Sequence, residues 1–109
     1  MVERQERLDR VYRALADPTR RSLLIALRTG DARITDLADP LPMSFAAVAR
    51  HVATLEKAQL ISREVRGREH WLSINAEGLQ DAEAWIAEQS SAWSARLEAL
   101  ADLLAREAS

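Results

Sequence analysis

Arg50 stands out among the charged residues of this sequence because small and apolar residues surround it. It lies in the stretch SFAAVARHVATLEKAQL, residues 44–60. Ser44 is a residue type that caps helices, and the turn-forming Leu41-Pro42-Met43 precedes it, so the pattern predicts a helix that begins at Phe45. A helix whose exposed face combines small residues with an arginine can lie close against another surface. The major groove of DNA admits such a helix.

The two sides of this helix differ in composition. Val48, Val52 and Leu55 recur at steps of four and three, which predicts one buried side. The other side carries Phe45, Ala46, Ala49, Arg50, Ala53 and Lys57. We predict that the DNA contacts of this helix are made by Ser44, Phe45, Ala46, Ala49 and Arg50, with Arg50 reading sequence and Ser44 contacting phosphate.

Arg66 and Arg68 flank a glycine between two runs of alternating apolar residues, Ile61–Val65 and His70–Ile74. The pattern predicts a β-hairpin. Guanidinium groups at a hairpin tip suit a wing laid against the DNA backbone or minor groove. An ordinary solvated turn is the alternative.

Arg20 lies in the first turn of a predicted helix that Asp17 caps and Pro18 begins, where the helix dipole disfavours cations. A nearby anion would compensate. An Asp side chain fits, and a solvated arginine is also open.

Catalysis has few candidate residues. His51 and His70 are the only histidines, and no Ser-His-Asp set has positional support. We expect His51 to pack or to contact a phosphate. The glycines form no phosphate-binding loop, so neither an enzyme nor a cofactor site is predicted.

Charge is unevenly distributed along the 109 residues, whose net charge is −2. Residues 44–74 carry five basic and three acidic side chains, whereas residues 75–109 carry two and seven. Charges beyond about one Debye length are screened, so a distant acidic helix does not prevent DNA binding. Cysteine is absent, and no apolar run approaches the length of a bilayer span, which favours a soluble cytoplasmic protein without a membrane partner.

Further helices and a strand frame these segments. A first helix is predicted from Glu3 to Ala16, and the second ends near Arg28, followed by a left-handed cap at Gly30. Ala32–Ile34 is predicted to pair with the wing, and Thr35 to cap a short helix that ends at Asp39.

A long helix is predicted from Asn75, a candidate cap, almost to the end of the chain. Its apolar stripe is longer than one small core can cover, and its tryptophans favour a subunit interface. With the first helix, it supplies the predicted dimer contacts: Leu8, Val11, Tyr12, Trp85, Ile86, Gln89, Trp93, Leu97 and Leu100.

Three motifs together resemble the ArsR-type winged helix-turn-helix repressors. They are the stretch from Ala14 to Arg21, the set Ser44, Val48, Arg50, His51, Leu55, Ala58, Leu60 and Ile61, and Gly67-Arg68 followed by Leu72, Ile74 and Asn75. The resemblance covers nearly the whole chain. One departure is Gln59, where the family has glycine. Either a non-glycine residue is left-handed there, or the helix ends differently.

The resemblance implies one mainly α-helical domain over 1–109 with a small β-hairpin wing. Its parts would be dimerisation helices at 3–16 and 76–106, a helix-turn-helix at 35–58 and a wing at 61–75. Two recognition helices about 34 Å apart would meet an inverted repeat of double-stranded DNA. The resemblance also allows a DNA phosphate to be the anion beside Arg20.

The family's known metal sites use cysteines or C-terminal histidines. This chain offers only Asp81, Glu83 and Glu88 in that region, so the branch without metal sites, which includes autorepressors, is the better match. The alternative is a winged-helix protein-interaction module that binds no DNA. The operator, the regulated genes, any small-molecule effector and the direction of regulation are not encoded in these residues.

Overall fold

The computed structural model describes residues 2–108, and helices and strands account for most of them. The helices are α1 (Val2–Leu15), α2 (Pro18–Ala26), α3 (Ile34–Ala38), α4 (Phe45–Lys57) and α5 (Glu77–Ala108), and the strands are β1 (Ala32–Arg33), β2 (Ile61–Arg66) and β3 (Glu69–Ile74). A 3-10 turn over Leu27–Thr29 follows α2. The predicted fold, mainly helical with a β-hairpin wing after the helix-turn-helix, is confirmed.

Side-chain caps begin three of the helices where the sequence predicts them. The Asp17 carboxylate accepts the Arg20 N–H at 3.0 Å, and Pro18 follows as the first helical residue. Ser44 Oγ accepts the Ala47 N–H at 3.1 Å at the start of α4. The Asn75 side chain accepts the Glu77 N–H at 3.0 Å at the start of α5.

Two of the predicted caps are wrong. Helix α3 begins one residue before Thr35, at Ile34, and no side-chain hydrogen bond caps it. Ile34 is therefore helical and buried, and the preceding strand is limited to Ala32–Arg33. Gly30 has φ 143° and ψ 176°, outside the left-handed helical region. The chain ends α2 through the 3-10 turn, in which the Gly30 N–H donates to the Leu27 carbonyl.

The core is built around one side of α4. Val48, Val52 and Leu55 are fully buried, as their spacing predicts, and they cluster with Leu60 and Leu72 from the segments that follow. Burial of apolar side chains is the main favourable contribution to folding. Burial of this side of α4 leaves the opposite side facing solvent.

The wing is attached to the helix-turn-helix through a three-stranded antiparallel sheet of order β1-β3-β2. The short strand β1 pairs with β3, with Ala32 opposite Leu72, so the predicted pairing of this strand with the wing is confirmed. Because β1 leads directly into α3, the sheet holds the hairpin beside the helix-turn-helix.

The end of α4 and the start of α5 meet through main-chain contacts, which we call the α4–α5 joint (residues 58–60 and 75–78). The Gly78 N–H donates to the Gln59 carbonyl at 3.0 Å, and the Asn75 N–H donates to the Leu60 carbonyl at 3.0 Å. A β carbon at Gly78 would lie 2.4 Å from the Ala58 carbonyl oxygen, so only glycine allows this approach. Gln59 has φ 61°, so of the two ways to end α4 without glycine, the chain takes the left-handed one.

Helices α1 and α5 pack against each other within the subunit. Tyr12 and Trp85 meet edge to face with ring centroids 6.1 Å apart. Two exposed ion pairs flank this contact, Arg4–Glu88 at 2.8 Å and Arg7–Asp81 at 3.0 Å.

Leu8 and Val11 of α1 were predicted to lie at a dimer interface, but the subunit buries both. Their exposed fractions are 6% and 1%, and Val11 belongs to the core cluster. The apolar stripe of a short helix packs on its own core first. A partner subunit finds no surface at these two residues.

Beyond these contacts, α5 projects from the domain. Every residue from Glu83 to Ala108 is exposed. The helix has 32 residues, about 48 Å at 1.5 Å per residue. It accounts for the elongated shape of the molecule, 72 × 30 × 22 Å.

Replacing Gln59 by glycine should stabilise the protein. A left-handed non-glycine residue costs about 1 kcal/mol or more, and glycine removes most of that strain. We expect a gain of about 0.5–1 kcal/mol in the free energy of unfolding, measured by urea denaturation at one protein concentration.

Gln80→Gly is the matched control, because Gln80 is exposed within α5. Glycine adds the same conformational freedom to the unfolded chain in both variants, but Gln80 has no left-handed strain to relieve. Gln80→Gly should therefore lose about 1 kcal/mol in the free energy of unfolding. Equal losses in the two variants would contradict the account of Gln59.

Candidate nucleic-acid interface

The exposed side of α4 carries most of the DNA contacts predicted for this helix. Phe45, Ala46 and Arg50 are exposed, and Ala49 is half-buried between them and the core. No hydrogen bond or ion pair to the described residues 2–108 holds the Arg50 guanidinium. The structure thus brings together four of the five residues predicted to contact DNA from this helix. One of them, Arg50, is an uncommitted cation.

The N-terminal end of α4 is accessible as well. Ser44 is exposed, and its Oγ accepts the Ala47 N–H, which leaves the hydroxyl proton available to an acceptor such as phosphate. The first acidic residue of the helix is Glu56, in its last turn, and Arg63 binds it at 2.6 Å. Residues 44–55 therefore present no negative side chain to a polyanion.

Arg20, a predicted DNA contact, is half-buried and bonds to main-chain carbonyls of its own subunit. Its Nε donates to the Ala14 carbonyl at 2.8 Å and its Nη2 to the Arg13 carbonyl at 2.8 Å. Arg21 Nη1 donates in the same way to the Leu15 carbonyl at 2.6 Å. The compensating negative charge is thus the C-terminal end of α1, whose last carbonyls lack helical partners. The presence of these cations in the first turn of α2 is therefore explained without a phosphate or an Asp side chain.

His51 is tied to the same arginine. Arg20 Nη1 lies 3.1 Å from His51 Nδ1, and because a guanidinium only donates, Nδ1 accepts and Nε2 carries the proton. The Asp17 carboxylate is 3.9 Å from the same nitrogen. The Arg20 N–H on that carboxylate holds the pKa of Asp17 below its ordinary value. His51 therefore belongs to a structural network between α2 and α4.

At the wing tip, the two arginines differ in their surroundings. Arg66 donates to Glu64 at 3.1 Å, and its guanidinium lies 4.9 Å from the centre of the Trp71 ring. The same pairing lowers the pKa of Glu64. Arg68 is exposed, and the described residues supply no hydrogen bond or ion pair to its side chain. Gly67, at φ 63°, is the first residue of the two-residue turn at this tip, and Arg68 is the second.

Two arginine bridges fix the wing to the helix-turn-helix, and the sequence analysis did not find them. Arg33 donates to Asp36 of α3 at 3.0 Å and to Glu69 of β3 at 2.6 Å. The hydrogen bond from Arg33 holds the pKa of Glu69 below its ordinary value.

The second bridge joins α4 to the hairpin. Arg63 Nη2 donates to Glu56 at 2.6 Å, and its Nη1 donates to His70 Nδ1 at 3.0 Å. Arg63 opposes Leu72 in the β2–β3 register, so the alternation of the hairpin could have placed it on the α4 side. No comparable local signal exists for Arg33, whose partner Glu69 is 36 residues away.

Within residues 2–108, no three or more His, Asp or Glu side chains are grouped so that they could hold a metal ion. In the same range, no helix combines the length and apolar character needed to cross a membrane.

Comparison with known proteins agrees with this architecture. Residues 17–63 match the model of the bacterial regulatory protein, arsR family. Transcriptional repressor SdpR of Bacillus subtilis (strain 168) is 33% identical over 79 residues, which cover 72% of this chain and 88% of that protein.

Among solved structures, the ArsR family transcriptional regulator RHA00566 is 37% identical with a TM-score of 0.79, over 83% of this chain and 93% of that one. An ArsR-like transcriptional regulator from Rhodococcus sp. RHA1 is 28% identical with a TM-score of 0.83, over 94% of each chain. The shared fold and the level of identity to SdpR lead to one conclusion. The chain belongs to the ArsR family of bacterial regulatory proteins.

Proposed function

We propose that this protein is a transcriptional repressor that binds double-stranded DNA sequence-specifically, as a homodimer on an inverted repeat. The observation that carries the proposal is the outward face of α4, where Arg50 stands uncommitted among small residues. A helix mounted in this way fits a major groove. The similarity of the chain to the transcriptional repressor SdpR and to the ArsR family transcriptional regulator RHA00566 supports it.

The DNA-binding residues take different roles in this proposal. Arg50 reads a base edge, Ala46 and Ala49 allow close approach, and Ser44 donates to a phosphate. Phe45 presents an apolar ring to the groove. Arg68 contacts the backbone or minor groove from the wing. Arg66, Arg20 and His51, which the sequence also suggested, serve to hold the wing and α4 in place.

A second copy of this chain covers the projecting part of α5 in the proposed dimer. Trp93 and Leu97 are each 61% exposed, and large exposed apolar patches mark interaction sites. The proposed interface contains the remaining predicted residues of α1 and α5: Tyr12, Trp85, Ile86, Gln89, Trp93, Leu97 and Leu100.

The domain plan and the compartment are part of the proposal. We assign dimerisation to 3–16 and 76–106, DNA binding to the helix-turn-helix at 35–58 and the wing at 61–75, within one domain of 1–109. A regulator of this kind acts in the cytoplasm and performs no catalysis. The proposed partners are an operator duplex and a second copy of the chain.

Selection of bound sites from a random duplex library tests the proposal as a whole. We expect an inverted repeat whose half-sites are about 34 Å apart. Affinity for the selected duplex, measured by fluorescence anisotropy, should fall steeply between 50 and 200 mM salt, roughly as the number of phosphate contacts dictates. Failure to select any duplex would favour the protein-interaction module instead.

Arg50→Ala should abolish the preference for the selected duplex and leave the fold intact. The side chain makes no hydrogen bond or ion pair with the described residues, so circular dichroism and the thermal midpoint should not change. Losing a base-reading arginine reduces affinity by about 5- to 150-fold for each half-site. Lys57→Ala, at the exposed far end of the same helix, is the control. Unchanged affinity in Arg50→Ala would remove it from the interface.

Arg68→Ala and Arg66→Ala should separate a phosphate contact from a structural cation. Arg68→Ala should weaken specific and random duplexes alike and reduce the salt slope by about one unit per subunit. Arg66→Ala, which loses Glu64 and Trp71 as partners, should leave that slope unchanged and lower thermal stability slightly. Equal salt slopes in the two variants would argue against this division.

Trp93→Glu should convert the dimer to a monomer, because a carboxylate in an apolar interface is left without a partner. Light scattering at micromolar concentration should report one chain, and operator affinity should fall at least tenfold as two linked half-site contacts become one. Ser91→Glu, on the opposite side of α5, should remain dimeric. A wild-type protein that is already monomeric would refute the interface.

A further inference from the structure

Phe45 is a large apolar side chain exposed at the end of α4 that is proposed to face DNA. It is the first residue of the helix, and 52% of it is exposed. An aromatic ring left in water forgoes a substantial burial free energy. The exposed apolar residues of α5 have a proposed partner in the second copy of the chain. Phe45 lies on a different helix, so covering its ring requires a different partner.

The surroundings of Phe45 favour an uncharged partner. Ala46 beside it is exposed, and Ala49, one turn on, is half-buried. The ring borders a shallow depression to which Leu41 and Asp39 also contribute. The Asp39 carboxylate repels a phosphate at that end of the helix, so a base edge suits the ring better than the sugar–phosphate backbone does.

Few groups in a major groove are apolar. The base edges of A, G and C present hydrogen-bond donors and acceptors, whereas thymine adds a C5 methyl group. A phenyl ring can make no hydrogen bond with any of them. Contact with that methyl group is therefore the major-groove interaction that buries the apolar ring of Phe45 most favourably.

We propose that Phe45 packs on the C5 methyl group of a thymine in each half-site and thereby selects T·A at that position. The inference rests on the proposed function and assigns a base to one residue of the same site. Phe45 and Arg50 are five residues apart, about 7.5 Å along the helix. At 3.4 Å per base pair, the thymine lies about two base pairs from the base that Arg50 reads.

Deoxyuridine tests this directly, because it pairs like thymine and lacks only the methyl group. Each thymine of the selected half-site is replaced in turn, symmetrically in both half-sites. Affinities of the wild type, Phe45→Ala and Phe45→Leu are then measured by anisotropy. Phe45 is exposed, so both variants should keep the thermal midpoint of the wild type.

At one thymine position, the wild type should lose about fourfold in affinity for each methyl group removed, or roughly sixteenfold for the two half-sites. Phe45→Ala should bind the thymine and deoxyuridine duplexes equally at that position. Phe45→Leu, which keeps an apolar side chain, should retain part of the discrimination. Substitutions at the other thymines should act equally on all three proteins.

Several results would overturn the proposal. If the wild type is indifferent to deoxyuridine throughout a duplex that it binds specifically, Phe45 reads no methyl group, although the DNA-binding function stands. The same holds if Phe45→Ala loses as much as the wild type, or if the selected half-site contains no thymine within about three base pairs of the Arg50 contact. If no duplex is bound at all, the proposed function fails and this inference fails with it.

Discussion

The main-chain contact at the α4–α5 joint is the constraint on which the rest of the structure depends. Gly78 approaches the Ala58 carbonyl so closely that no β carbon fits, and its N–H bonds to the carbonyl of Gln59. Because backbone meets backbone, no side-chain rotamer can alter the angle between the two helices. The outward face of α4 therefore has one direction relative to the projecting α5. In the proposed dimer, that angle determines where the two recognition faces point.

Arginine has two separate uses in this protein, and composition alone does not distinguish them. Arg20 and Arg21 bind the last carbonyls of α1, while Arg33 and Arg63 bind carboxylates and join α3 and α4 to the hairpin. These groups stabilise the scaffold and are not available to phosphate. Three of the five basic residues in 44–74 have no hydrogen bond or ion pair to the described residues: Arg50, Lys57 and Arg68. The position of a cation therefore matters to DNA recognition as much as the number of cations does.

The sequence was a good guide where the signal is local. Ser44, Asp17 and the spacing of Val48, Val52 and Leu55 predicted α2 and α4 because caps and helical periodicity act within a few residues. It misled where partners are distant in sequence: the carbonyls that Arg20 binds and the core that buries Val11 depend on tertiary packing. Gln59 is an intermediate case. Its sequence neighbours indicated that α4 would have to end without glycine, but the left-handed conformation that Gln59 adopts depends on the α4–α5 joint.

One subunit of the proposed regulator presents few groups that bind DNA, so recognition of DNA also depends on dimerisation. One subunit offers a single uncommitted arginine on α4 and another at the wing tip, so its contribution from phosphate contacts is small. Two subunits held by α5 double those contacts, and the second half-site is then bound at high effective concentration. Operator occupancy consequently follows the concentration of dimer, which rises with the square of the monomer concentration when monomer predominates. In the proposed dimer, the exposed apolar stripe from Trp85 to Leu104 would therefore affect operator affinity together with the residues that touch the bases.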